Sequence, residues 1–392
     1  MLDASAAIDR VMHLMAIPGV SCREGKVAEF LQNELRAAGV PATAIAFDTA
    51  HRKTPVPGEV GNLICKLPGT VRGPRRLMMA HMDTVPICLG SRPVRQGNLA
   101  RSADPRTGLG ADDRAGCAVV LTAALEVLER KLPHPPLTLL WTVQEEIGLH
   151  GARLVNQAKL GKPKLAFNWD GGSCEKLTIG ATGGYRFDIE IEGLASHAGG
   201  APEQGISAIA IAALAIADLH RGGWHGGIRR GKHYGTSNVG VIEGGAATNV
   251  VTDRVRVRAE ARSHDPKFRA RIIREIEQAF KRAVREVKNE AGARGEVKIA
   301  GRLDYESFRL ADDEPCLLEA EEAVRAVGRN PLRAISNGGV DANWMTLHGI
   351  PTITLGCGQR NQHMVTEALD IEEYLDACRI GLRLVSPETP IP

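Results

Sequence analysis

Three apolar runs in this chain stop at side chains that core packing does not require. Leu77 to Ala80 leads into His81-Met82-Asp83, Leu137 to Val143 into Gln144-Glu145-Glu146, and Leu165 to Trp169 into Asp170-Gly171-Gly172. Runs this short and this continuously apolar read as strands buried on both faces of a parallel sheet. The carboxyl edge of such a sheet is where an open α/β fold binds ligands. Side chains two apart on a strand point the same way, which places His81 and Asp83 together. Imidazole is a common metal ligand, and a carboxylate on its second ring nitrogen orients it. An isolated His-x-Asp is usually a buried histidine beside a capping aspartate. Three strand ends converging on such residues turn the reading towards a reactive site. Glu145 and Glu146 would repel unless a cation lay near, and they point to opposite sides. One can therefore bind a metal while the other works on water.

Two further segments supply residues of the same kind. GLGADDRAG, Gly108 to Gly116, puts Asp112 between glycines at the entry to an apolar helix, Cys117 to Leu128, where the helix dipole favours negative charge. Near the C-terminus, the strand Pro351 to Leu355 is followed by Asn361-Gln362-His363. Other helices are expected at residues 3 to 16, Lys26 to Ala38, Cys316 to Val327 and Ile371 to Leu384, the second opened by a Ser21/Glu24 capping box. Gly61 to Cys65 reads as one more strand.

With 392 residues, two domains are the natural expectation. From about Gly183 the pattern changes. Tyr185 to Glu192, Ser237 to Ile242, Arg254 to Ala261 and Val297 to Leu303 read as strands, with helices at Ile206 to Leu219 and Lys267 to Asn289. The order βαββαβ predicts helices on one face of an antiparallel sheet. The expected division is 1–182 and 306–392 for one α/β domain, with 183–305 inserted into it. A net charge of +3 with 24% charged residues gives no stripe for nucleic acid or an acidic membrane. The eight cysteines lack metal-type spacing and read as free thiols of a reducing compartment. The first residues do not look like a signal peptide, and no run approaches the ~20 apolar residues of a membrane span. A cytoplasmic enzyme is expected.

His81, Asp83, Asp112, Glu145, Glu146, Asp170 and His363 thus form one candidate constellation. Its mixture of nitrogen and oxygen donors suits two zinc ions sharing a bridging carboxylate, with cobalt or manganese able to use the same ligands. The order HMD, GADDRAG, EE, NWDGG, SHAG and NQH resembles the di-zinc exopeptidases, a family that includes peptidase T (tripeptide aminopeptidase), glutamate carboxypeptidases, aminoacylases and succinyl-diaminopimelate desuccinylases. The resemblance spans nearly the whole chain and is nearest to the peptidase T branch. It implies an α/β catalytic domain, with a mixed and mostly parallel sheet between helices, and an inserted ferredoxin-like α+β lid and dimerisation domain. By the same resemblance His81, Asp112, Glu146, Asp170 and His363 are the metal ligands, with Asp112 bridging. Asp83 holds the histidine of the HxD strand, and Glu145 is the general base. A non-proline cis peptide follows Asp112. In the inserted domain His197 helps stabilise the oxyanion in the partner subunit's site, while Asn249 and Arg262 bind substrate.

Arg114 stands where the family usually has Lys. Asp170 matches the aminopeptidases, since carboxypeptidases and deacylases tend to have Glu there. The resemblance therefore implies a zinc aminopeptidase for di- and tripeptides, acting as a homodimer. The alternative is a deacylase or carboxypeptidase acting on N-acyl amino acids. An inactive binding homologue would show a broken ligand set or a replaced Glu145, and neither is seen. Cys88 lies near the HMD loop but lacks a positioned base.

Overall fold

The computed structural model describes residues 2–387. The chain forms two compact units, one running up to Ala181 and again from Arg309, the other Thr182–Phe308.

The first unit is built on a nine-stranded sheet. Its centre is four parallel neighbours in the order Leu137–Thr142, Arg76–His81, Leu165–Trp169 and Thr352–Leu355. All four are buried along their whole length, which is why their sequences are almost continuously apolar. Antiparallel strands flank this centre. Leu63–Leu67 pairs with Leu137–Thr142, and Lys176–Ala181 pairs with Thr352–Leu355. Register brings the carboxyl ends level, with His81 opposite Thr142, Met79 opposite Asn168 and Leu355 opposite Trp169.

The helix Ala111–Glu129 is buried from its first residue to Val127. Accordingly it lacks the polar stripe of a surface helix. Its axis is interrupted at once: Asp112 and Asp113 have non-helical backbone angles, and the peptide between them is cis.

Two features depart from expectation. The capping box does not form: the helix is Gly25–Ala37, Glu24 makes no side-chain cap, and the Ser21 hydroxyl instead donates to Asp83 Oδ2 at 2.6 Å. A four-stranded antiparallel sheet also appears, in the order Gln359–Arg360, Ala368–Asp370, Leu99–Ser102 and Pro93–Gln96. Strands of two to four residues are too short to show a period in sequence.

The second unit has one five-stranded antiparallel sheet, in the order Gly226–Arg230, His233–Gly244, Arg254–Ser263, Gly183–Glu192 and Glu296–Tyr305. Helices Ala208–Arg221 and Pro266–Glu286 join these strands. This is the expected βαββαβ order plus one edge strand, Gly226–Arg230, whose sequence GGIRR hides it by burying only Ile228. The helices cover one face. Phe187, Ile189, Ile191, Val255 and Val257 of the sheet share a core with Ile211, Ile272, Ile276 and Phe280. The alternate residues Arg254, Arg256 and Arg258 lie on the other face, where Arg256 Nε reaches Asp188 at 2.8 Å. Among the described residues no helix is long and apolar enough to cross a membrane, and all eight cysteines are free.

Candidate metal centre

The four central strands release their chains at one edge of the sheet, and the candidate ligands gather there. Asp112 stands in the middle. Its Oδ1 is 3.3 Å from His81 Nε2, and its Oδ2 is 3.3 Å from His363 Nε2. His363 Nε2 is also 2.9 Å from Glu146 Oε2. Ligand atoms of His81, Asp112 and Asp170 lie within 4.8 Å of one another, as do those of Asp112, Glu146 and His363. Each triad mixes one imidazole with two carboxylates, and Asp112 belongs to both through different oxygens. Two neighbouring divalent ions with a bridging carboxylate fit this arrangement. Asp112 Oδ1, buried and without a hydrogen bond, has the free lone pairs that a ligand needs.

The electrostatics agree. Burial first, and then the Asp112 charge, lift the Asp170 carboxyl to about 7; burial likewise lifts Glu146 to about 6. Glu145 is pushed well above the ordinary carboxyl range by burial, with the charges of Asp170, Glu146 and Asp341 adding to it. Burial would raise Asp112 too, but the neighbouring His363 and His81 imidazoles hold it low. Hydrogen bonds to Asp112 and Glu146 carry His363 up to about 10. Four largely buried carboxylates facing two imidazoles, His81 buried and His363 half exposed, are a site that favours cations.

The surrounding residues fix these side chains. His81 Nδ1 lies 3.0 Å from the Asp83 carbonyl oxygen and 3.5 Å from its carboxylate, so donation from Nδ1 leaves Nε2 facing Asp112. The Asp83 carboxylate has a larger task than holding the ring. It accepts the backbone N–H groups of Glu145 at 3.0 Å and Glu146 at 3.2 Å, besides the Ser21 hydroxyl. Glu145 Oε2 is 4.0 Å from His81 Nε2, next to the donor set. Asp113 is fully buried and accepts from the His81 and Gly116 backbone N–H groups, tying the His81 strand end to the helix start.

Asp113, Gln359 and Glu367 were not singled out from sequence, and Ser21 was read there only as a helix cap. Only Asp113 left a signal there, as the second aspartate of GADD. The others act through hydrogen bonds between distant segments.

The candidates of the second unit fall in two places. His197 and Asn249 lie on loops that pair: Ala198 N–H donates to Asn249 O at 2.9 Å, and His197 bridges Val250. His197 Nδ1 accepts from the Gly199 and Gly200 N–H groups at 3.2 and 2.9 Å. In the neutral ring the proton is then on Nε2, leaving that nitrogen as a donor. Arg262 lies on the strand Arg254–Ser263, opposite Thr236 and Gly184, and its Nε and Nη2 are bonded to Glu260.

A parallel-centred sheet with two carboxylate–imidazole triads at its carboxyl edge has the donor set of a metal-dependent hydrolase. The model of Peptidase family M20/M25/M40 matches residues 77–386, and the chain belongs to that family. It is 31% identical, over 98% of its length and 99% of the relative's, to the uncharacterized protein YqjE of Bacillus subtilis. Among solved structures it superposes on a tripeptidase from Staphylococcus aureus with a TM-score of 0.88 at 28% identity, covering 99% of both chains. It superposes on aminopeptidase PepT from Bacillus cereus with a TM-score of 0.84 at 30% identity, covering 98% of both.

Proposed function

We propose that this peptidase is an aminopeptidase that releases the N-terminal residue of di- and tripeptides, using two metal ions, zinc by default. The observation that carries the two-metal reading is the division of Asp112 between two triads, one oxygen towards His81 and the other towards His363. The likeness to a tripeptidase and to PepT, together with Asp rather than Glu at position 170, supports amino- over carboxypeptidase specificity.

His81, Asp112 and Asp170 would hold one ion, and Asp112, Glu146 and His363 the other. Bound there, the ions supply Lewis acidity towards a peptide carbonyl and lower the pKa of water. Glu145 receives the proton of the attacking water and passes it to the leaving nitrogen. Its buried position, with Oε2 4.0 Å from His81 Nε2 and so beside the donor set, suits a group that must hold a proton between the two steps. Asp83 keeps the Glu145 and Glu146 backbone in place during that transfer. His197, by the family resemblance, would offer its Nε2–H to the oxyanion in the partner subunit's site. Arg262, oriented by Glu260, keeps Nη1 for the substrate's carboxylate, and Asn249 adds a polar contact. The second unit is read as the lid and the surface of a homodimer, in an enzyme of a reducing, cytoplasmic compartment.

The test is release of free leucine from Leu-Gly-Gly, set beside the N-acetylated tripeptide and N-acetyl amino acids, with zinc added and with chelator. Cleavage of the free-amine peptide alone is expected. Hydrolysis of the acylated compounds in its place would move the protein to the deacylases.

A further inference from the structure

The segment carrying His363 has little packing of its own. The His363 side chain is 51% exposed and its φ is +63°. Four residues to either side, however, stand two buried polar side chains, Gln359 at 2% and Glu367 at 1% exposure. Gln359 reaches back to the loops that hold Asp112 and Asp170, and Glu367 to the loop that holds Asp112.

Gln359 Nε2 donates to the Ala111 carbonyl oxygen and to Asp113 Oδ1, each at 2.9 Å, and its Oε1 accepts the Gly171 N–H at 3.1 Å. Glu367 Oε2 accepts the Gly110 N–H at 2.7 Å, with the Cys88 thiol at 3.5 Å, and its Oε1 accepts the Asp112 N–H at 3.0 Å. Every backbone partner is a candidate ligand or lies within two residues of one. The approach is close: a Cβ on Gly108 would come within 2.9 Å of Cys88 Sγ and 3.1 Å of Glu367 Oε2. Because the backbone at Asp112 is not helical, its N–H and that of Gly110 need an acceptor from elsewhere, and Glu367 provides one for each.

We propose that Gln359 and Glu367 are positioning residues that clamp the His363 segment onto the Asp112 and Asp170 loops, so that both triads are assembled before a metal arrives. This rests on the reading of Asp112, Asp170 and His363 as ligands. A ligand set gathered from distant loops must be ordered on binding unless something orders it beforehand. Hydrogen-bond partners behind metal ligands commonly set affinity by about 10–100-fold. Glu367 supports the carboxylate common to both triads. Gln359 supports the Asp170 side.

The test is zinc affinity of the metal-free protein, measured by competition with a chromophoric chelator, with the thermal midpoint and far-UV dichroism of the same metal-free samples. Glu367→Gln keeps one acceptor but turns an amide NH2 towards a backbone N–H. Gln359→Glu keeps the acceptor for Gly171 but sets a carboxylate oxygen against the Ala111 carbonyl and Asp113. Both are expected to bind zinc roughly tenfold or more weakly and Glu367→Ala up to about 100-fold, with an altered cobalt absorption spectrum and a native fold. Asp112→Ala is run in parallel. If it loses zinc while the Glu367→Gln and Gln359→Glu proteins bind normally, the clamp is overturned, even if their thermal midpoints fall. If Asp112→Ala itself binds two zinc ions with native affinity, the ligand reading fails and the clamp with it.

Discussion

The Asp83 carboxylate accepts the backbone N–H of Glu145 at 3.0 Å, across 62 residues of sequence. A carboxylate at the end of one strand thus sets the position of the proposed general base at the end of its neighbour. Glu145→Ala is expected to keep two metal ions per chain and to lose about 10²–10⁴-fold in kcat. Asp83→Asn turns one carboxylate oxygen into a donor facing N–H groups, and a loss of about 10–100-fold in kcat/KM is expected with the fold intact. Steady-state kinetics beside metal analysis decides both. A normal turnover rate for Glu145→Ala would remove its assigned role.

The two oxygens of Asp112 face different histidines, so the two triads respond differently to substitution. Asp112→Ala should lose tight binding of both metals, whereas His363→Ala should keep one. Elemental analysis after dialysis reads this directly, and retention of two ions by Asp112→Ala is the contrary result. Chelator should silence the native enzyme, and added zinc should restore it.

Gly116 is required for space. A Cβ there would lie 2.3 Å from Asp113 Oδ1 and 2.7 Å from the Trp169 carbonyl oxygen. Gly116→Ala must therefore displace the carboxylate that holds the His81 backbone, or the strand end beside it. Destabilisation of about 1–3 kcal/mol is expected together with weakened metal binding. A metal-free thermal midpoint equal to that of the native protein would contradict the crowding argument.

His197 has its Nδ1 occupied by two backbone N–H groups, which leaves Nε2–H for the oxyanion role proposed for it. His197→Ala is expected to lower kcat by about 10²–10³-fold, the scale of one oxyanion donor, with metal content unchanged. An effect confined to KM would make it a substrate-binding group instead.

In the second unit the Arg269 fork holds Glu306 through two bonds, at 2.7 and 2.8 Å, with the guanidinium buried. Burial by itself would raise the Glu306 carboxyl, but Arg269 and the Ser307 N–H hold it below the ordinary range. Its folded pKa is therefore below the unfolded value of ~4.3. The stabilisation is complete above that value and fades as pH falls through the folded one. Glu306→Gln should cost roughly 1.5–3 kcal/mol at neutral pH, with the gap narrowing as pH falls below the ordinary carboxylate range. Urea unfolding of both proteins across that range measures the gap, and one that does not narrow on acidification argues against the pair.

The central strands were legible because a strand buried on both faces must be apolar along its whole length, and that constraint is local. The residues at their ends stood out for the complementary reason: Asp170 and the Glu145-Glu146 pair do not belong beside apolar runs unless chemistry keeps them there. Alternating apolar residues likewise announced four strands of the second unit, while Gly226–Arg230 passed unnoticed because it buries only Ile228. Sequence by itself therefore determined which segments lie in the core and which reactive side chains stand at their ends. Tertiary structure alone decided which ends meet. Ser21 resembled a helix cap, yet its hydroxyl goes to Asp83. Asp83 was expected to hold a histidine, and its carboxylate also accepts both glutamate N–H groups, which the sequence did not show. Glu367 reaches Asp112 across 255 residues. Such bonds depend on strand order and register, which join segments far apart in the chain and so leave no periodicity in either partner.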